Sequence, residues 1–89
     1  MKYYIFSWKW SQKGDTLTFW NPNKAGYTAN LNNAGIYSEE EVCSQMVIVY
    51  SREELKKFTS DKKYEDWSFL IPVNHVEDIL GKTARVIFR

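Results

Sequence analysis

Hydrophobic residues recur along this chain in two rhythms, one of period two and one at helical spacing. Over residues 3–10, Tyr4, Phe6, Trp8 and Trp10 alternate with Tyr3, Ile5, Ser7 and Lys9, which gives a strand with one wholly aromatic face. Ser11-Gln12-Lys13-Gly14-Asp15 reads as a turn, with Gly14 free to take positive φ. Residues 16–20 then form a second strand and complete an N-terminal β-hairpin. Asn21-Pro22 ends that strand, because proline cannot donate to a ladder.

Residues 23–37 are polar, with Gly26 and Gly35 as punctuation and Leu31 as an anchor to the core. A connection this long in a small domain is usually functional or disordered. Tyr27, Leu31, Ile36 and Tyr37 supply packing surface, so order is expected. Ser38 with Glu41 three residues on makes a capping box that opens a helix. The same pairing at Ser51 and Glu54 predicts a further helix over 52–59. Between them, residues 46–50 are rich in β-branched side chains and suggest a strand. Val42, Met46, Val49 and Tyr50 also fit a helical stripe, and periodicity does not choose between the two.

Residues 60–66 are charged and read as a solvated loop, and 67–73 read as a strand. Asn74 with Glu77 caps a short helix ending at Gly81, and 83–89 form a last strand. The pattern amounts to a single α+β domain over residues 1–89. Its sheet is small and mostly antiparallel, starts with an N-terminal β-hairpin, and carries two or three short helices on one face.

Composition changes this picture in one respect. Of 89 residues, 15 are aromatic and four of those are Trp. A domain of this size buries only about 60–65% of its unfolded surface. Some rings therefore belong to a binding surface, although most fill the core. The net charge of +1 argues against a strongly electrostatic nucleic-acid binder. Residues 1–35 carry four lysines against one aspartate, a balance of +3, and the remainder stands at −2. That weak positive half suits a ligand with one or two phosphates and is too sparse for a duplex backbone.

Catalysis finds little support. Cys43 and His75 are single residues of their kinds, too few for an ordinary zinc site. The run Glu39–Glu41 would raise a nearby thiol pKa rather than lower it, and its place in a first helical turn is explained by the helix dipole. No Gly-rich phosphate cradle is present. The chain reads as non-enzymatic, with no metal and no cofactor. A lone cysteine fits a reducing compartment. The longest apolar runs, 46–50 and 69–73, are too short to cross a bilayer, and the first ten residues lack a secretory signal. A cytoplasmic location is expected.

The chemistry that stands out lies in residues 16–41. Trp20, Tyr27 and Tyr37 offer flat ring faces beside Asn21, Asn23 and Thr28, with Lys9 and Lys24 as nearby cations. A base stacked on Trp or Tyr gains about 1–3 kcal/mol, and Asn amides match a base edge. Trp20 and Tyr27 would stack, Asn21, Asn23 and Thr28 would hydrogen-bond, and Lys9 and Lys24 would meet phosphates. The asparagines are also ordinary turn formers, and both readings stand open at this point.

Thr18-Phe19-Trp20, Pro22-Asn23, Gly26-Tyr27-Thr28, Leu31, Ala34-Gly35, Tyr37-Ser38 and Glu40-Glu41 resemble a signature of small tailed-phage and prophage proteins, most of them uncharacterised. Phe69-Leu70-Ile71-Pro72-Val73 is similar to the short strand that ends those proteins, whereas 42–67 carries no likeness. The resemblance implies a phage accessory protein acting in the host cytoplasm, often in counter-defence. Some such proteins sequester cyclic nucleotide or ADP-ribose-derived signals, and others block a host protein. The leading expectation is a homo-oligomer that sequesters a small nucleotide-like molecule, because a chain this small gains a deep pocket most easily between subunits. The alternatives are a protein–protein inhibitor of a host defence or metabolic enzyme and a single-strand nucleic-acid binder.

Overall fold

The structure is a computed structural model that describes residues 1–14, 17–41 and 46–81. Within these residues one sheet contains β1 (Lys2–Ser7), β2 (Phe19–Trp20), β3 (Tyr27–Thr28), β4 (Tyr37–Ser38), β5 (Met46–Ile48) and β6 (Ser68–Pro72). Three helices accompany it: α1 (Trp8–Gly14), α2 (Arg52–Thr59) and α3 (Val76–Leu80). The strand order is β3-β2-β1-β6-β5, and β4 pairs with β1. Every pairing is antiparallel except that of β5 with β6. Those two parallel strands are joined through α2, since parallel neighbours need a crossover connection.

β1 is the central strand, and it explains the aromatic alternation. Along one edge it pairs with β6 from Tyr3↔Pro72 to Ser7↔Ser68. β4 takes the start of its other edge at Tyr3↔Tyr37, and β2 takes the end at Phe6↔Phe19. Both faces of the strand are buried. Tyr4 and Phe6 join Phe19, Phe69, Ile71, Val76, Ile79 and Leu80 on the helix side, where Trp8, Leu55 and Phe58 pack against them. Tyr3 and Ile5 join Leu70 and Tyr37 on the opposite side, with Trp20, Met46 and Ile48. All three helices thus contribute to one face, and strands and Tyr37 supply the other. Each fully buried side chain of this kind stabilises the fold by about 1.5–3 kcal/mol.

The first strand is shorter than its alternation predicts. It stops at Ser7, and residues 8–14, expected as strand and turn, are helical. Two serines cause the change. The Ser7 hydroxyl accepts from the Trp10 amide at 3.4 Å, as a helix cap does. The Ser11 hydroxyl donates to the Ser7 carbonyl at 2.6 Å and accepts from the Thr18 amide at 2.9 Å, fastening α1 to the start of β2. β1 and β2 remain antiparallel neighbours as expected, but a helix occupies their connection.

Elsewhere the caps act as starts of different reach. Ser51 accepts from the Glu54 amide at 3.1 Å, and Glu54 accepts from the Tyr50 amide at 2.7 Å, opening α2 over the expected residues. At Ser38 the amide donates to Glu41 at 2.9 Å, yet the element it opens is the single 3-10 turn Glu39–Glu41. The stretch at 46–48 is a strand, which resolves the ambiguity of its pattern. Asn74 does not cap α3: it lies in the 3-10 turn Val73–His75, and His75 occupies the cap position without a side-chain bond. The strand expected over 83–89, Cys43 and the helical residues expected after Glu41 lie outside the described residues.

Candidate functional site

The segment from Trp20 to Ser38 folds back on itself, and its polar side chains make the closure. The Asn21 amide group donates to the carbonyls of Ala25 at 3.2 Å and Tyr27 at 3.3 Å, and its backbone N–H donates to Gly26 at 2.9 Å. Asn23 and Lys24 lie in the left-handed region at φ 59° and 56°, a conformation that costs about 1–2 kcal/mol per residue for side chains beyond glycine. The Tyr37 hydroxyl offsets this cost by accepting from the Lys24 amide at 2.9 Å while donating to the Asn21 carbonyl. Gly35 closes the base: its N–H donates to Trp20 at 2.9 Å, and a Cβ there would stand 2.8 Å from the Pro22 backbone. Leu31 is buried beneath, as expected.

Four of the eight residues expected to hold a ligand therefore serve the fold instead. Tyr37 is 2% exposed, with its ring in the core and its hydroxyl in the loop closure. The Asn21 amide is occupied as a turn clamp. Thr28 accepts from the Asn30 amide at 3.1 Å. Asn23 supplies a left-handed turn position, with its side chain exposed.

The structure brings the other aromatic groups together. The Trp20 and Tyr27 rings meet edge to face with centroids 5.2 Å apart. Trp10 joins Tyr27 at 5.7 Å, and the Lys9 ammonium lies 5.7 Å from the Trp10 ring. The Trp20 indole N–H donates to Ser68 Oγ at 3.3 Å, fixing that ring to β6. Tyr27 is 42% exposed and Trp10 41%. Sequence reasoning missed Trp10 as a partner of this group, because a strand to residue 10 carries it away from the loop. Ser7, inside the aromatic run, was the one sign that the chain turns there.

The surroundings of this patch do not favour an anion. Beside it lies a cleft of about 220 Å³ whose lining sets Lys9 and Gln12 against the carboxylates of Glu65 and Asp66. Further along the segment, the Ser38 N–H holds the Glu41 carboxyl below its usual pKa. Burial and the nearby Glu39 carboxylate push the Tyr3 hydroxyl up. Among the described residues no three His, Cys, Asp or Glu side chains are grouped to hold a metal, and no helix is long and apolar enough to cross a membrane. His75 lies at the molecular surface, its Nδ1 3.7 Å from Asp78.

Fold and site together define a small α+β domain with an exposed aromatic patch at one sheet edge. Compared with protein families, with curated proteins and with solved structures, the chain matches none.

Proposed function

We propose that this is a non-catalytic phage accessory protein of the counter-defence kind, and that it blocks a host protein through the patch of Trp10, Tyr27 and Trp20. The phage context rests on the motif running from Thr18 to Glu41. The observation that carries the binding mode is the contrast within that motif. Its hydrogen-bonding groups at Asn21, Thr28 and Tyr37 are engaged internally, whereas its Tyr27 ring, with Trp10 packed beside it from outside the motif, stays more than two-fifths exposed. Exposed Trp and Tyr that are already fixed against neighbouring rings lose little freedom on binding and act as hot spots. β3 adds an edge strand beside them.

The test is co-purification from phage-susceptible host cells, with the wild type set against a Trp10→Ala/Tyr27→Ala double variant. Any captured protein is then remade and titrated by calorimetry. One host protein retained by the wild type and released by the variant is the expected result. Equal capture by both chains removes the proposal.

A second reading keeps a small nucleotide-like ligand, a cyclic nucleotide or ADP-ribose derivative, bound by a homo-oligomer. The Lys9 ammonium beside the Trp10 ring supports it, as a cation next to a stacking face. Glu65 and Asp66 weigh against it. Native mass spectrometry reporting subunit count and retained mass separates the two readings. Calorimetry against cyclic dinucleotides and cyclic ADP-ribose isomers then decides the second: no heat across that panel eliminates it.

A further inference from the structure

A cleft of about 320 Å³ opens on the helix side of the sheet, between α2, the end of α3 and the start of α1. Phe6 and Ile79 line it and are each 1% exposed, so it reaches down to the core. Trp8, Leu17 and Leu55, all half-buried, add apolar walls. The volume falls at the low end of small-molecule sites, and apolar walls with a few polar groups are their usual composition. The cleft shares no residue with the aromatic patch of Trp10, Tyr27 and Trp20.

The polar side chains on this cleft, Arg52, Lys56 and Thr59, all come from α2, and no carboxylate lines it among the described residues. Arg52 and Lys56 are four residues apart, so two like charges share one helix face, an arrangement that is destabilising by itself. Neither forms an ion pair among the described residues, and the acids of the same helices do not reach them. Glu54 accepts from the Tyr50 amide at 2.7 Å, Asp78 faces His75, and Glu53 makes no ion pair. Arg52 is also oriented. Its Nε donates at 3.3 Å to the Ile79 carbonyl, one of the last carbonyls of α3, which lack partners within their own helix. That bond leaves the two terminal nitrogens, whose N–H fork matches the two oxygens of a carboxylate. An apolar cleft with such a fork and a second cation at its rim complements a molecule that is apolar at one end and anionic at the other.

We infer that this cleft binds a small amphipathic carboxylate, its hydrocarbon part between Trp8, Leu17 and Leu55 and its carboxylate on Arg52 with Lys56 beside it. The experiment titrates the full chain with hexanoate, hexanol, hexylammonium and acetate and follows methyl groups and backbone amides by two-dimensional NMR. Hexanoate is expected to shift the Leu17, Leu55 and Ile79 methyl signals saturably, with hexanol about tenfold weaker for want of the charge-assisted contact. Hexylammonium and acetate are expected to leave those methyl signals in place. Lys56→Glu, at an exposed helix position, gives Arg52 a carboxylate four residues away. It is expected to bring hexanoate down to the level of hexanol without changing the rest of the spectrum. Arg52→Lys keeps the charge and loses the fork, so hexanoate should bind it with an affinity between those two while hexanol is unchanged. Equal binding of hexanoate and hexanol, the absence of a saturable shift, shifts centred elsewhere, or an unaltered hexanoate affinity in Lys56→Glu would each overturn the assignment.

Discussion

In one region of the segment between Trp20 and Ser38, Asn21, Gly35 and Tyr37 close the loop through hydrogen bonds. In a second region, the paired Trp20 and Tyr27 lean together with Trp10, and the Tyr27 and Trp10 rings stay partly in solvent. Tyr37 and Tyr27 are the same residue type within one motif, yet one is 2% exposed and the other 42%. Where the polar atom goes separates the two regions. The Tyr37 hydroxyl satisfies two backbone groups, a carbonyl and an N–H, that the left-handed turn at Asn23 and Lys24 turns inward. In the second region Tyr27 makes its contacts ring to ring, edge to face with Trp20 and tilted against Trp10, and the described hydrogen bonds give its hydroxyl no such backbone partner. A residue type that looks suited to a ligand is therefore assigned by its backbone surroundings, since a buried polar group must be paired.

Substitutions test this division, the most damaging first. Gly35→Ala places a methyl group 2.8 Å from the Pro22 main chain, and backbone cannot move aside as a side-chain tip does. A loss of about 3 kcal/mol or more is expected in urea unfolding. A loss below about 1 kcal/mol would show that the inner closure is loose. Tyr37→Phe keeps the packed ring and deletes the hydroxyl bonded to Asn21 and Lys24, so about 1–3 kcal/mol should disappear.

Tyr27→Ala sharpens the contrast from the other side. Its ring contacts with Trp20 and Trp10 are worth roughly 0.5–1.5 kcal/mol each, while its half-exposed ring gives up little burial. Thermal unfolding should show a drop of about 1–2 kcal/mol in all, near the lower end of the sum of the two contacts, and under the proposed function the variant should also lose any host protein that the wild type retains. The smallest effect concerns pH. The folded Glu41 carboxyl is held below its ordinary pKa, chiefly by the Ser38 N–H. Its contribution is complete above the ordinary Glu range and is lost as pH falls through the lower folded value. Acid titration of the unfolding midpoint should therefore show a shallower acid decline in Glu41→Gln than in the wild type, and parallel curves would remove the bond from consideration.

Much of the frame was legible because local signals agreed with tertiary demands. Ser51 and Glu54 marked α2 correctly, Leu31 was the anchor, and the strand around residues 68–72 followed from its apolar run. The start of the chain misled, for a physical reason. β1 is buried on both faces, so its alternation of aromatic and other residues does not mark one wet side, and the pattern ran on unbroken into Trp8 and Trp10. Ser7 and Ser11 decide the outcome through bonds to Trp10 and Thr18, one of which reaches a residue distant in sequence. The same limit applies at Ser38, whose cap fixes where a turn begins and not how far it extends.

The site was legible as a cluster and not as roles. Trp20 and Tyr27 do come together and Lys9 lies against the Trp10 ring, while Asn21, Thr28 and Tyr37 turned out to hold the loop. Sequence shows that an asparagine can bond a base edge or a turn. It does not show which carbonyls, such as those of Ala25 and Tyr27, will reach the amide first.

Urea unfolding of Tyr37→Phe and Tyr27→Ala, measured side by side, addresses the division between locked loop closure and open aromatic patch most directly. Removing one oxygen from Tyr37 should destabilise the protein more than removing the whole ring of Tyr27. The opposite order would mean that the outer rings hold the fold and are not there for a partner.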